Sequence, residues 1–121
     1  MSAPDASVRL YGIPNCDQVK KARAWLEAQA VPFTFHDFKK QGLTAELAQE
    51  WLKRLGTDTL INRKGTTWRA LPDARKALVD KASGAIALIV EQPSLVKRPV
   101  LAWQAHVSVG FDPEKYATLF S

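Results

Sequence analysis

The 121-residue chain has a single cysteine, no long apolar run and no visible leader sequence. One cysteine excludes an internal disulfide, a CxxC redox pair and a zinc site built on several thiolates. No apolar segment approaches the roughly 20 residues that a membrane-spanning helix needs. Residues 1–7 lack a basic stretch followed by an apolar one, so we expect no secretory signal and a cytoplasmic protein.

Histidine is also scarce, since the chain has only two. Two histidines and one cysteine give no metal-ligand spacing, so we expect no bound metal. His36 and His106 are far apart in sequence and lack a partner motif. We expect structural roles for both rather than general-base catalysis.

Positive charge is in surplus, with 17 Lys and Arg against 12 Asp and Glu and a net charge of +5. A basic domain is consistent with nucleic-acid binding. The basic residues, however, fall in scattered pairs rather than in a tail or in a cluster with interleaved aromatic residues. We therefore expect solvated helix faces and no nucleic-acid partner, although the overall field still attracts small anions.

Hydrophobic periodicity predicts a βαβ unit in the first third of the chain. The pattern gives a strand over Val8–Tyr11, a helix from about Cys16 to Ala30 and a second strand after Pro32. A strand, a helix and a strand within about 30 residues predict a parallel strand pair.

Helical patterns dominate the middle of the chain, and a hairpin follows them. Thr44 is expected to cap a helix over Ala45–Leu55, and shorter helices are expected from Pro72 to about Lys81 and from Ser83 through Val90. Two strands, Val100–Trp103 and Val107–Val109, and a last helix opened by Asp112-Pro113 complete the chain. This order is that of an α/β thioredoxin-like fold. We predict one domain over residues 1–121, with a central mixed four-stranded sheet and a helical insertion at about 43–92.

Cys16 stands at the start of the first predicted helix. Unpaired N–H groups and the helix dipole favour a thiolate there and can hold an oxyanion. Lys20, one turn on, adds a positive charge. Asn15 is expected to cap the helix, with Gln18 completing a capping box, and it can instead orient a substrate. The alternative for Cys16 is an inert thiol that packs under the loop.

Three sequence blocks carry a further signal: YGIPNCD at 11–17, LINRKGTTWR at 60–69 and LVKRPVL at 95–101. Together they resemble the arsenate reductase ArsC/Spx family, and within it the YffB subgroup. They stand in the family's order and at its spacing, and the resemblance extends from about Val8 to Phe120.

The resemblance implies a site. Cys16 matches the nucleophile of the arsenate reductases, and Arg63 and Arg98 match arginines that bind the oxyanion. Pro99 matches a proline that is often cis and faces the active cysteine. The physical chemistry is consistent, because two guanidinium groups offset the repulsion between a thiolate and an anionic substrate.

Two departures from the family pattern bear on the reaction. No arginine follows Arg98, whereas the arsenate reductases have a further arginine downstream, which argues against arsenate as the natural substrate. Val19 stands three residues after Cys16, so the CxxC switch of the Spx regulators cannot form. Trp68 lies in a stretch that resembles YffB, and it either lines the site or packs the loop.

A lone nucleophilic thiol has no internal partner to resolve an adduct, so an outside thiol must do so. We expect a glutathione-dependent thiol reductase that binds no cofactor and takes glutathione as co-substrate, either alone or together with a glutaredoxin. Its substrate would be a small oxyanion or a disulfide. The alternatives are an arsenate reductase using glutathione or glutaredoxin and, in another class, an Spx-like transcriptional adaptor that binds RNA polymerase.

Overall fold

The computed structural model describes residues 8–120, and these residues form two compact units. The first unit comprises residues 8–37 and 98–120, and the second comprises Phe38–Lys97. The insertion predicted at about 43–92 falls within the second unit. The assignment of residues 1–121 to a single domain stays a prediction.

The first unit is built on a sheet of four strands within the described residues, in the order β2-β1-β3-β4. The strands are β1 (Val8–Gly12), β2 (Phe33–Asp37), β3 (Val100–Trp103) and β4 (His106–Val109). β1 pairs with β2 in parallel, while the β1–β3 and β3–β4 pairs are antiparallel. The predicted mixed sheet and the thioredoxin-like fold class are therefore confirmed.

Two helices of the first unit, α1 (Asp17–Ala28) and α8 (Pro113–Leu119), supply apolar side chains to the core. In α1 these side chains recur at intervals of three and four residues, as the sequence predicts. At the start of α8 the Asp112 carboxylate accepts a hydrogen bond from the Glu114 N–H at 3.0 Å, as expected for an N-cap. The core residues of this unit are Val8, Leu10, Ala22, Leu26, Leu101 and Tyr116.

The expected cap of α1 is wrong, because Cys16 and not Asn15 occupies the N-cap position. The Cys16 N–H donates to the Ile13 carbonyl at 3.1 Å and closes a turn with Pro14 and Asn15 at its centre. Proline favours the second position of such a turn. The Pro-Asn pair thus forms the turn, and Asn15 lies exposed one residue before the cap, where no capping box forms.

The second unit contains the helices between β2 and β3, together with 3₁₀ turns at Ala77–Asp80 and Pro93–Leu95. Thr44 caps the longest of them, since its hydroxyl accepts a hydrogen bond from the Leu47 N–H at 3.2 Å. The helix expected to run from Pro72 to about Lys81 is instead a short helix followed by the first 3₁₀ turn. The helices are α2 (Phe38–Gln41), α3 (Ala45–Leu55), α4 (Thr57–Leu60), α5 (Thr66–Arg69), α6 (Asp73–Lys76) and α7 (Ala82–Glu91).

An isolated antiparallel bridge between Ile61 and Val96 joins two distant segments of the second unit. The Asn62 N–H donates to the Leu95 carbonyl and the Lys97 N–H donates to the Leu60 carbonyl, both at 2.8 Å. Ile61 and Val96 are almost completely buried. The bridge therefore fixes the backbone on which Arg63 is carried.

Gly12 is a position of close packing between β1 and α1. A Cβ atom at Gly12 would lie 2.6 Å from a methyl carbon of Val19, which is fully buried. We expect Gly12→Ala to lower the free energy of unfolding by about 1–3 kcal/mol, the usual cost of overpacking, as measured by urea denaturation. Adding Val19→Ala removes the clashing methyl group, so the double variant should lose less than the sum of the single losses. Unchanged stability of Gly12→Ala would contradict this packing.

The buried Tyr116 hydroxyl makes folding stability sensitive to high pH. It has no hydrogen-bond partner within residues 8–120, and burial raises the pKa of Tyr116. Above pH ~10 the unfolded chain loses this phenol proton while the folded chain keeps it, so stability falls as pH rises. We expect Tyr116→Phe to match or exceed wild-type stability at pH 7 and to lose less between about pH 9 and 11. If the stabilities of the two proteins fell in parallel over that pH range, the pH dependence could not be attributed to the Tyr116 hydroxyl.

Candidate active site

Cys16 is held at the N-terminus of α1 by hydrogen bonds of its own backbone. Its N–H closes the turn to Ile13, and its carbonyl accepts the Lys20 N–H at 2.9 Å as the first bond of the helix. Its side chain is partly exposed. Ile13 and Val19 are buried on either side of it in sequence and anchor the loop. The backbone of Cys16 is therefore fixed by the fold, while the residue keeps part of its surface exposed.

Arg98 and Pro99 immediately precede β3, and the peptide bond between them is cis, as the family resemblance implies. Pro99 is buried, and its carbonyl accepts the Gly110 N–H at 2.8 Å. Arg98 is half-buried.

Strand pairing brings the cysteine loop and the Arg98–Pro99 pair to the same edge of the sheet. β1 and β3 are antiparallel with Tyr11 opposite Val100. The end of β1, where the cysteine loop leaves, therefore lies beside the start of β3, where Pro99 enters. The N-terminus of α1 and the backbone of Arg98 therefore lie at the same edge of the sheet, and a helix N-terminus and an arginine side chain are both groups that bind anions.

A buried acid at this edge was missed by the sequence reasoning. Asp37 ends β2 directly opposite Gly12 and is only 8% exposed. One residue before it, the His36 ring packs against Tyr11 with the ring centres 4.9 Å apart. The signal in the sequence was the break in strand alternation at Asp37, where an acid follows Phe33, Phe35 and His36.

Arg63 and Trp68 contact each other within the second unit. The Arg63 guanidinium carbon lies 5.3 Å from the centre of the Trp68 ring, and the Lys76 ammonium lies 5.9 Å from the same ring. Arg63 also pairs with Asp58, with 3.1 Å between Nη2 and Oδ1. Sequence reasoning identified Arg63 and Trp68 but missed Asp58, because nothing in the sequence marks a surface acid as an ion-pair partner.

The two remaining predicted site residues, Asn15 and Lys20, are exposed on either side of Cys16 in the first unit. His106 lies in β4, where burial lowers its pKa.

Among residues 8–120, no group of three or more His, Cys, Asp or Glu side chains is arranged to hold a metal ion. No helix in the same range is long and apolar enough to cross a membrane.

Comparison with known proteins identifies the family. A model of the ArsC family matches residues 11–119. A solved structure of the YffB (PA3664) protein is 43% identical, with a TM-score of 0.89 over 94% of this chain and 99% of that one. An arsenate reductase (ArsC) related protein from Brucella melitensis is 50% identical, with a TM-score of 0.73 and 95% of each chain covered.

The chain is also similar to a protein named as a transcriptional regulator. The global transcriptional regulator Spx 1 of Lactococcus lactis is 28% identical over 111 residues, which cover 89% of this chain and 84% of the regulator. The family model covers most of the chain, from the strand before the cysteine loop to the last helix. This chain is therefore a member of the ArsC family.

Proposed function

We propose that this protein is a glutathione-dependent thiol reductase in which Cys16 is the nucleophile. The observation that carries the proposal is the position of Cys16. It is the only cysteine of the chain, it is partly exposed at the N-cap of α1, and it follows the end of β1 that lies beside the start of β3, just after Arg98. Such a thiol forms adducts readily but cannot resolve them itself.

The proposed cycle consists of three thiol–disulfide exchanges. The Cys16 thiolate attacks a substrate disulfide, forms a mixed disulfide and releases the first substrate thiol. A glutathione thiolate then attacks the Cys16 sulfur, releases the second substrate thiol and leaves Cys16 glutathionylated. A second glutathione attacks the glutathione sulfur of this adduct and frees Cys16. Overall, one disulfide is reduced to two thiols, and two glutathione molecules are oxidised to glutathione disulfide.

Arg98 is proposed to bind the anionic end of the electrophile and to stabilise the charge that develops on the leaving sulfur. Support comes from its half-buried position, because a hydrogen bond to a charged group strengthens where water is partly excluded. The family resemblance assigns an anion-binding role to Arg63 as well. Arg63 is more accessible, with 44% of its side chain exposed, and it is paired with Asp58.

A second candidate function is arsenate reduction, favoured by the ArsC family model and by the similarity to an arsenate reductase related protein. The absence of any arginine after Arg98 argues against it. A redox switch of the Spx type needs a second cysteine three residues after the first. In this chain that position is Val19, which is fully buried in the core, so such a switch is disfavoured.

Treatment with oxidised glutathione should convert Cys16 to its mixed disulfide, seen by intact mass spectrometry as a single glutathione adduct. Reduced glutathione should then remove the adduct, and Cys16→Ser should show none. Arsenate, offered with glutathione and glutaredoxin, separates the two enzyme proposals. A protein that reduces arsenate but takes no glutathione from the disulfide would overturn the thiol-reductase proposal.

Replacing Arg98 by Ala should slow glutathionylation of Cys16 about tenfold, since a hydrogen bond to a charged group contributes at least ~1.5 kcal/mol. Arg98→Lys should recover part of the rate. Arg63→Ala should slow it less than about fivefold, because Arg63 is exposed and paired. Arg9→Ala, which removes an exposed cation from β1, is the matched control and should leave the rate unchanged. Equal rates for Arg98→Ala and Arg9→Ala would contradict the role given to Arg98.

A further inference from the structure

The second unit contains a pocket of about 330 Å³ whose lining mixes charges of both signs. Its lining residues flank the bridge between Ile61 and Val96. They are Asp58, Ile61, Asn62, Arg63, Lys64 and Lys97. Three cations and one carboxylate therefore face a common space.

The backbone under this pocket is fixed by the fold. Ile61 is 1% exposed, and the segments on either side of the bridge exchange the two backbone hydrogen bonds described above. The Asn62 side-chain oxygen also accepts the Lys64 N–H at 3.2 Å. The charged side chains thus project from an ordered base rather than from a free loop.

The charges are arranged so that a ligand can replace the existing ion pair. Arg63 is held by two contacts, since its guanidinium group packs against the Trp68 ring and pairs with the Asp58 carboxylate. The Asp58 side chain is 93% exposed, and so accessible an ion pair is weak. A ligand that brings its own positive and negative groups would pair with both members at little cost.

We propose that this pocket binds a zwitterionic α-amino-acid group, with its ammonium against Asp58 and its carboxylate against Arg63, Lys64 and Lys97. A plain oxyanion fits less well, because the Asp58 carboxylate repels it. The γ-glutamyl end of glutathione carries the required pair of charges. The assignment to glutathione rests on the proposed function, and it makes Asp58 a specificity-determining residue.

The test is calorimetric titration of the full, reduced chain with S-methylglutathione, which cannot form a disulfide, and with its analogue lacking the ammonium group. The wild type should bind S-methylglutathione two- to fivefold more tightly than the deaminated analogue, the range expected for one accessible ionic contact. Asp58→Asn should abolish this preference. Asp80→Asn, an exposed acid of the same unit outside the pocket lining, should keep it.

Two results would overturn the inference. One is equal binding of both ligands by the wild type, or a preference that Asp58→Asn retains. The other is free glutamate binding as tightly as S-methylglutathione, which would overturn the assignment of the pocket to glutathione. Glutathionylation of Cys16, measured on the same preparations, reports separately on the proposed function, so failure of the pocket and failure of the reductase are distinguishable.

Discussion

The antiparallel pairing of β1 with β3 is the constraint on which the rest of the site depends. β1 ends at Gly12, and the turn that follows delivers Cys16 to the start of α1. β3 starts after the cis Arg98–Pro99 bond. With Tyr11 opposite Val100, these two connections must leave the sheet at one edge. Segments more than 80 positions apart in sequence thereby meet through the sheet, without any direct bond between their side chains being required.

Features that depend on local chemistry were predictable from the sequence. Thr44 and Asp112 have side chains that cap the helix following them, and both do so. Phe33 and Phe35 alternate with polar residues, and this pattern predicted β2. The helix between the first two strands, and their short separation along the chain, predicted that they pair in parallel. The chain order of strands and helices then left few topologies other than the observed one.

Features that depend on competing local preferences or on tertiary contacts were not predictable. Asn15 is a good cap in isolation, but the turn favoured by Pro14 shifts the cap to Cys16. The helices α4 and α5 have four residues each, too few for a periodic pattern. The pairing of Asp58 with Arg63 depends on which segments lie alongside each other, and sequence spacing carries no such information.

The basic residues of the chain differ in how exposed they are. Arg54 and Arg75 form exposed ion pairs with Glu50 and Glu91, and such pairs add little to stability. Arg98, by contrast, is half-buried beside the cysteine loop. The proposed function therefore requires that the Cys16 thiol lie in a positive environment that attracts anions.

The most direct test compares alkylation of Cys16 by anionic iodoacetate and by neutral iodoacetamide, in the folded chain and in urea. Because thiolate formation affects both reagents alike, the ratio of the two rates reports the local charge. We expect the ratio of the iodoacetate rate to the iodoacetamide rate to be higher in the folded protein than in the unfolded chain. An equal or lower ratio in the folded protein would contradict it.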